Sequence, residues 1–445
     1  MNDIRKLYPL LKQFIQEDIW RMQAEQLPKK KAVAIRLLRI FLAAVQEFKK
    51  NHSGLRASAL TFYSVLSIVP VAAMAFGIAE GFGFEKKLEK ELLNNFPGQE
   101  EIIRNVITYA EKLLENTQGG LIAGIGVAVL FWTVIKVLGH IETSLNALWG
   151  ISSPRTLGRK LSDYLAIMIS APLLLIISGS VTVFIRTQII MITEKIELLD
   201  MFSRFIFFGL KLIPFALVWL LFSLLYILMP NGKVQFLSGI SAGIIAGTIY
   251  QFTQWVYIHF QIGVAAYNTI YGSFAALPLF LLWLQISWLI VLFGAAISTA
   301  HQNADCLEFA PDSQKISYSC KKLLFLYTAR EIIRNFAEGK PPMTQKELAA
   351  QLDIPLSLVR ITLKDLAQSR IIQHIQSREP QETAFQPARD IHSLDIAYLI
   401  RSLDRQGYDG IPFPQNNVMH TLTRSLEEFQ EMMEKSPKNC LLKDL

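Results

Sequence analysis

The chain has 445 residues, 51% of them hydrophobic and 18% charged, a mix too apolar for the water-facing surface of an ordinary globule. Its 28 Phe and 7 Trp exclude disorder, and three Cys over this length exclude a disulfide scaffold. Charge is unevenly divided: residues 1–56 hold 12 Lys/Arg against 5 Asp/Glu, residues 57–300 hold 14 against 13, and residues 301–445 hold 18 against 19. These numbers fit a polytopic membrane protein with a basic N-terminal region and a polar C-terminal extension.

Residues 1–56 are read as a cytoplasmic N-terminal region. Between Val33 and Lys50, Arg36, Arg39, Gln46 and Lys50 fall on one helical stripe opposite Leu37, Phe41, Ala44 and Phe48, the pattern of an interfacial amphipathic helix. Packing of the same helix on a cytoplasmic domain is the alternative.

Crossing a hydrocarbon layer takes roughly 20 apolar residues in a helix. Six stretches qualify, at about 57–83, 119–138, 162–185, 205–229, 235–262 and 272–300, and together they predict a six-helix transmembrane domain over 57–300. They are continuously apolar and too long for the alternating strands of a barrel. No cleavable signal precedes them, so the N-terminus is expected to stay in the cytoplasm. Flanks on that side carry 12 Lys/Arg against 8 on the other, and the positive-inside bias places both termini in the cytoplasm.

Polar side chains inside such spans mark either helix seams or a pathway. Span one carries Ser58, Thr61, Ser64 and Ser67 ahead of Pro70, which predicts a kinked, hydroxyl-lined helix. In span five Gly239, Gly243 and Gly247 recur every four residues and lead to Gln251 and Gln254. The glycines read as a close-packing face, and the amides as cavity lining or as bonds across helices. Asn268, Tyr271 and Ser273 sit at the entrance to span six, where a belt anchor and a short gate are both open readings. Glu80, Glu142 and Asp163 all fall near expected span ends, so no carboxylate is expected in mid-membrane.

The string RASALTFYSVLSIVP at span one and the string YNTIYGSFAALPLFLLWLQISWLIVLFGA near span six resemble the YihY/BrkB family of bacterial inner-membrane proteins, once labelled ribonuclease BN. The resemblance covers roughly residues 36–300. It implies a six-span layout and an inner-membrane location, and no secure activity. Hydrolysis of RNA by a metal would need clustered His and carboxylates. The seven histidines, His52, His140, His259, His301, His374, His392 and His420, are scattered, so no metal, cofactor or catalytic residue is expected.

After a linker at 301–316, residues 317–405 turn soluble in composition. Thr344 and Glu347 form a capping box opening QKELAAQL, SLVRITLKDLAQSR makes the next helix, and IIQHIQS with TAFQP alternate as strands. This resembles a winged helix-turn-helix, in which Arg360, Lys364 and Arg370 would face a DNA groove. Residues 315–405 hold 14 basic against 10 acidic side chains, too small a surplus for a nucleic-acid footprint, and nucleic acid is not expected as a partner. The tail, 406–445, holds an amphipathic helix from Asn416 to Glu434 that is expected to pack on this module.

The fold class that follows is an all-α polytopic membrane protein with six transmembrane helices and a small cytoplasmic winged-helix-like domain. The leading functional reading is a permease, exporter or lipid-handling protein with a polar cavity between spans one, five and six. Its partners are membrane lipids, a small-molecule or lipid substrate, and a cytoplasmic protein or a second copy of the chain. The competing reading is a membrane-anchored scaffold or regulator acting through the extension. With both termini cytoplasmic, alkaline phosphatase fused after Leu445 should be inactive and a fluorescent protein fused there bright; an active phosphatase would reverse the assigned orientation.

Overall fold

The computed structural model describes residue 9 and residues 13–22, 27–95, 100–115, 120–151, 155–156, 158–166, 168–169, 200–265, 276–309, 316–376, 383–407 and 416–445. The chain divides into two compact units, one of residues 40–302 and one joining residues 1–39 to 303–445. The N-terminal region expected as one piece over 1–56 therefore splits at Arg39/Ile40, within helix α1 (Lys29–Lys50).

In the first unit the long apolar runs among the described residues are helices, because a backbone in hydrocarbon can satisfy its N–H and C=O groups only internally. After the end of α1 come α2 (Ser53–Gly81), α3 (Glu85–Asn95), α4 (Glu100–Glu115), α5 (Gly120–Leu148), α6 (Asp200–Leu228), α7 (Phe236–Ala265) and α8 (Ala276–Gln302). Among the described residues four segments are long and apolar enough to cross a membrane: Ser53–Gly81, Ala128–Leu148, Phe236–His259 and Leu277–Gln302. Within α6 the segment Phe215–Leu228 is apolar but shorter. Most of the third expected span, 162–185, lies outside the described residues.

Two differences from the sequence reading have plain causes. Helix α5 does not stop at 138 but runs to Leu148, since Leu145 and Leu148 continue its buried face, and it ends where Gly150 takes φ +64°. The connection after span one holds α3 and α4, whose Leu88 and Ile107 pack with Phe76 and Ala79 of α2 while Ala110 packs against Ala73. Pro70 lies inside α2, which continues past it to Gly81.

The glycines of α7 meet α6. A Cβ on Gly243 would stand 2.7 Å from the Ser223 nitrogen and 2.8 Å from its Cα, and one on Gly247 would stand 2.7 Å from Trp219 Cδ1. At Gly239 the neighbour is Ile227. On α8, Gly294 gives the same access to Tyr226 and to Ala246, whose Cβ would be 2.6 Å away. Tyr226 is fully buried and its hydroxyl donates to the Val291 carbonyl at 3.0 Å, tying α6 to α8.

In the second unit the basic stripe of α1 is spoken for. Arg39, 3% exposed, donates to the Ile19 carbonyl at 2.8 Å and to Glu308 at 2.9 Å, and Arg36 pairs with Asp305 at 3.0 Å. Val33 and Leu37 are exposed. Residues 316–445 order as α9 (Tyr318–Ala337), β1 (Met343–Thr344), α10 (Gln345–Leu352), α11 (Leu356–Gln368), β2 (Ile372–Gln376), β3 (Thr383–Pro387), α12 (Ile396–Asp404) and α13 (Asn417–Glu434). The three strands form an antiparallel sheet, β1-β3-β2, with His374 opposite Phe385 and Met343 also opposite Phe385. The Thr344 capping box is formed: the Thr344 amide donates to Glu347 at 2.7 Å and the Glu347 amide to the Thr344 hydroxyl at 3.3 Å. The core is aliphatic, around Ile332, Ile333, Leu363, Leu366, Ile371 and Leu399.

Helix α13 meets α12 of this module, as expected, although none of its residues is buried. Near its C-terminal end it is fastened by Arg401 to Glu434 at 2.7 Å and by the residues that follow, where Leu442 is buried and its amide donates to the Leu394 carbonyl.

The glycine contacts yield a test. Gly243→Ala pushes a methyl group into the Ser223 backbone, which cannot rotate away, and should cost about 1–3 kcal/mol. Gly54→Ala, with nothing within 4 Å, should cost nothing, and thermal unfolding in detergent compares the two.

Candidate functional site

Polar side chains of the 40–302 unit gather where α2, α5 and α8 meet. Helix α8 offers one amide and one indole to the hydroxyl face of α2. Gln285 Nε2 donates to Ser58 at 3.1 Å, the Thr61 hydroxyl lies 3.0 Å from Gln285 Oε1, and Trp288 Nε1 donates to Ser64 at 3.0 Å. Thr61 is buried, and its hydroxyl is also 2.9 Å from the Ala57 carbonyl one turn back. Ser67 is buried too, and its hydroxyl donates within the helix, to the Tyr63 carbonyl at 2.6 Å.

Tyr63, on the same helix, stacks on His140 of α5, with ring centroids 3.8 Å apart and planes 9° from parallel. One half-turn further along α5 stands Glu142, 2% exposed. Its carboxylate accepts from Asn146 Nδ2 at 3.2 Å and from the hydroxyl of Tyr164, a fully buried residue of the 158–166 helical stretch. Asn146 in turn accepts from the Asn231 amide at 2.7 Å. A carboxylate removed from water is tolerated only with such donors around it.

Beside this group Arg155 is buried, 3.1 Å from Asp163, and donates to the carbonyls of Leu228, Met229 and Pro230 at 2.8–3.2 Å. It caps the C-terminal end of α6, where carbonyls lack helical donors and the dipole favours a cation. Lys136 takes another course, with its ammonium over the Trp132 ring at 5.5 Å.

Of the residues singled out from sequence, Ser58, Thr61 and Ser64 share partners on α8, while Ser67 bonds within its own helix. Gln251 and Gln254 are half-buried on α7, between Tyr250 and Tyr257, whose rings both meet Trp283. Asn268, Tyr271 and Ser273 lie outside the described residues. Gln285, Trp288, Glu142 and Tyr164 were missed. The signal for Gln285 was its isolation in an apolar run, and for Glu142 the apolar spacing that resumes after it.

In the other unit the N-terminal end of α11 meets residues 303–309. Arg360 donates to Asn303 at 2.9 Å and Ser357 to the Glu308 carbonyl at 2.6 Å. Burial here pushes the Cys306 thiol up, with Arg360 opposing. Among the described residues no group of His, Cys, Asp and Glu could hold a metal.

Comparison with known proteins places these residues in context. A family model described as virulence factor BrkB matches residues 44–316. The UPF0761 membrane protein RSc1559 of Ralstonia nicotianae is 30% identical over 247 residues, 54% of this chain and 54% of that protein. The UPF0761 membrane protein NTHI0384 of Haemophilus influenzae is 27% identical over 57% of this chain and 91% of its own length. A UPF0761 membrane protein of Chlorobium chlorochromatii is 26% identical over 82% of this chain and 80% of its own. The match thus spans little more than half of the Ralstonia relative. No solved structure matches the chain.

Substituting the buried carboxylate tests its place in the bundle. Glu142→Leu strands the Tyr164 hydroxyl and the Asn146 amide, at about 1–3 kcal/mol for each orphaned group. Glu142→Gln keeps an acceptor and should lose less. Melting of the purified protein in detergent reads both, and an unchanged midpoint for Glu142→Leu would remove Glu142 from the network.

Proposed function

The chain belongs to the virulence factor BrkB family of membrane proteins, and from that membership we propose that it works as a permease, exporter or lipid-handling protein of the bacterial inner membrane, with six spans and both termini in the cytoplasm. The observation that carries this reading is the convergence of polar groups from three apolar helices: Ser58, Thr61 and Ser64 of α2, Gln285 and Trp288 of α8, and His140 of α5 stacked on Tyr63. Such groups are costly in lipid, and a polar path through the bundle is a reason for a sequence to keep them. Gln251, Gln254 and the Asn268 to Ser273 turn extend the same proposed path. The reading is of a carrier and not of an enzyme.

A second reading, a scaffold or regulator acting through residues 317–445, has its own support. The helix–strand–helix–helix–strand–strand order with sheet β1-β3-β2 favours a winged-helix module. Its would-be reading helix α11 is engaged at its N-terminal end by residues 303–308, which favours a protein partner over a nucleic acid.

Reconstitution into liposomes separates the two. Gln285→Leu removes the amide shared by Ser58 and Thr61 while keeping the volume apolar. Under the carrier reading it should cut lipid scrambling or solute flux about tenfold, equivalent to about 1.4 kcal/mol, in protein that still folds. Flux equal to the unmodified chain would refute that reading.

A further inference from the structure

Three arginines converge on one hollow in the module of residues 316–445, and among the described residues no carboxylate lines it. Arg370 follows α11, Arg389 follows β3 and Arg405 follows α12, and together they border a cavity of about 610 Å³. Its walls are fixed by bonds between neutral groups. Gln406 Nε2 donates to the Ser369 hydroxyl at 2.6 Å and to the Asp365 carbonyl at 2.7 Å, and the Ser402 hydroxyl donates to the Tyr398 carbonyl at 2.8 Å. An adjoining hollow of about 420 Å³ shares Arg370 and Arg389 and adds the apolar side chains of Ala367, Ile372 and Ala388.

The positive charge is not answered inside the module. The acids nearest in sequence to these arginines are engaged elsewhere: Asp365 with Lys321 at 2.9 Å, Asp404 with Lys322 at 3.1 Å and Asp390 with the His392 ring at 2.8 Å. Arg389 lays its guanidinium over the Tyr398 ring at 5.7 Å. Like charges brought together repel unless something negative meets them. The C-terminal ends of α11 and α12 border the same hollow, and their dipoles supply about half a negative charge each. About two positive charges are left over, the complement of a phosphomonoester, which carries about two negative ones at neutral pH.

Arg370 also stands where glycine is usual. It takes φ +56° just past the α11 cap, and the Ile371 amide donates to the Leu366 carbonyl at 3.1 Å, the closing bond of a helix C-terminus. A long cation there accepts backbone strain that glycine would relieve.

We propose that this hollow binds a small phosphorylated ligand, its phosphate held by Arg370, Arg389 and Arg405, whose planar guanidinium forks match phosphate oxygens two at a time. The adjoining hollow has room for the esterified group, so a phosphate ester suits the site better than the bare ion. A phosphorylated lipid headgroup offers the same chemistry. A nucleic-acid backbone is a poorer match, because groove-reading helices lead with their N-terminal residues, and that end of α11 is engaged by residues 303–308. The site stands whichever reading of the 40–302 unit holds.

The test uses the full chain in phosphatidylcholine nanodiscs, with AMP and inorganic phosphate as probes and titration calorimetry as readout. AMP should bind saturably and more tightly than phosphate, and Arg370→Gln, Arg389→Gln and Arg405→Gln should each weaken it about tenfold. Arg424→Gln, on the exposed face of α13, should leave it unaltered. Arg370→Gly separates binding from folding: it should hold or raise the melting midpoint, by relieving the strained φ, and still lose AMP. Saturable binding of neither probe, equal loss with Arg424→Gln, or full binding by Arg370→Gly would each overturn the proposal. Phosphatidic acid added to the nanodiscs distinguishes the sources: AMP binding lost there assigns the site to a lipid headgroup, and binding retained assigns it to a soluble ester. A short DNA duplex that binds more tightly than AMP and is weakened by Arg360→Gln would mean a nucleic-acid surface and overturn the proposal as well.

Discussion

Hydrocarbon offers nothing to hydrogen-bond to, and that constraint organises residues 40–302. Each hydroxyl, amide or carboxylate carried into the apolar helices has to be met by another group of the protein, so polar residues collect at helix contacts and there decide which helices touch. Gln285 can serve Ser58 and Thr61 at once only where α8 lies along α2, and Glu142 can be served by Tyr164 only where the 158–166 stretch lies along α5. Between α6 and α7, where Trp219 Nε1 donates to the Thr248 hydroxyl at 3.0 Å, close approach adds to the polar contact. The glycines of α7 let the backbone of α6 come within van der Waals reach, which recovers through dispersion what the hydrophobic effect cannot provide between helices already surrounded by lipid.

Those same interactions explain what could be read in the sequence. Long apolar runs with few charges stood out, and helices occupy Ser53–Gly81, Phe236–Ala265 and Ala276–Gln302 much as expected. In the extension the Thr344 box, the turn at Asp353 and the alternation of IIQHIQS and TAFQP marked element ends closely, because caps and turns are local chemistry. Strand β1, two residues long, gave no periodicity to detect. Partner choice was less legible. The hydroxyls of span one are visible as a face, but that Gln285 and Trp288 answer them depends on which helix packs there, and Trp288 stands 224 residues from Ser64 in the chain. Glu142 stays near the end of its span, as its position in the sequence suggests, but α5 runs on to Leu148 and the side chain is buried, which a span ending at 138 does not anticipate.

The second unit shows how the same basic residue can be read two ways. Arg36 and Arg39 have the spacing of a helix lying on a membrane, yet their partners are Asp305, Glu308 and the Ile19 carbonyl, so the start of α1 folds together with Ile19 and residues 303–309. Positive charge near the first span thus has a structural use beside its value for orientation. The segment 303–309 also occupies the N-terminal end of α11, so the surface through which a winged helix would address DNA is engaged by the chain itself.

Glu142 bears on how the bundle is put together. A lone carboxylate on α5 is poorly tolerated by lipid until donors surround it: Asn146 of the same helix donates to it and is itself held by the Asn231 amide, and the Tyr164 hydroxyl comes from later in the chain. Helix α5 entering the bilayer by itself carries a debt that only downstream segments can discharge. Burial of Glu142 thus ties α5 to the 158–166 stretch, so the two segments reach their lowest-energy arrangement together.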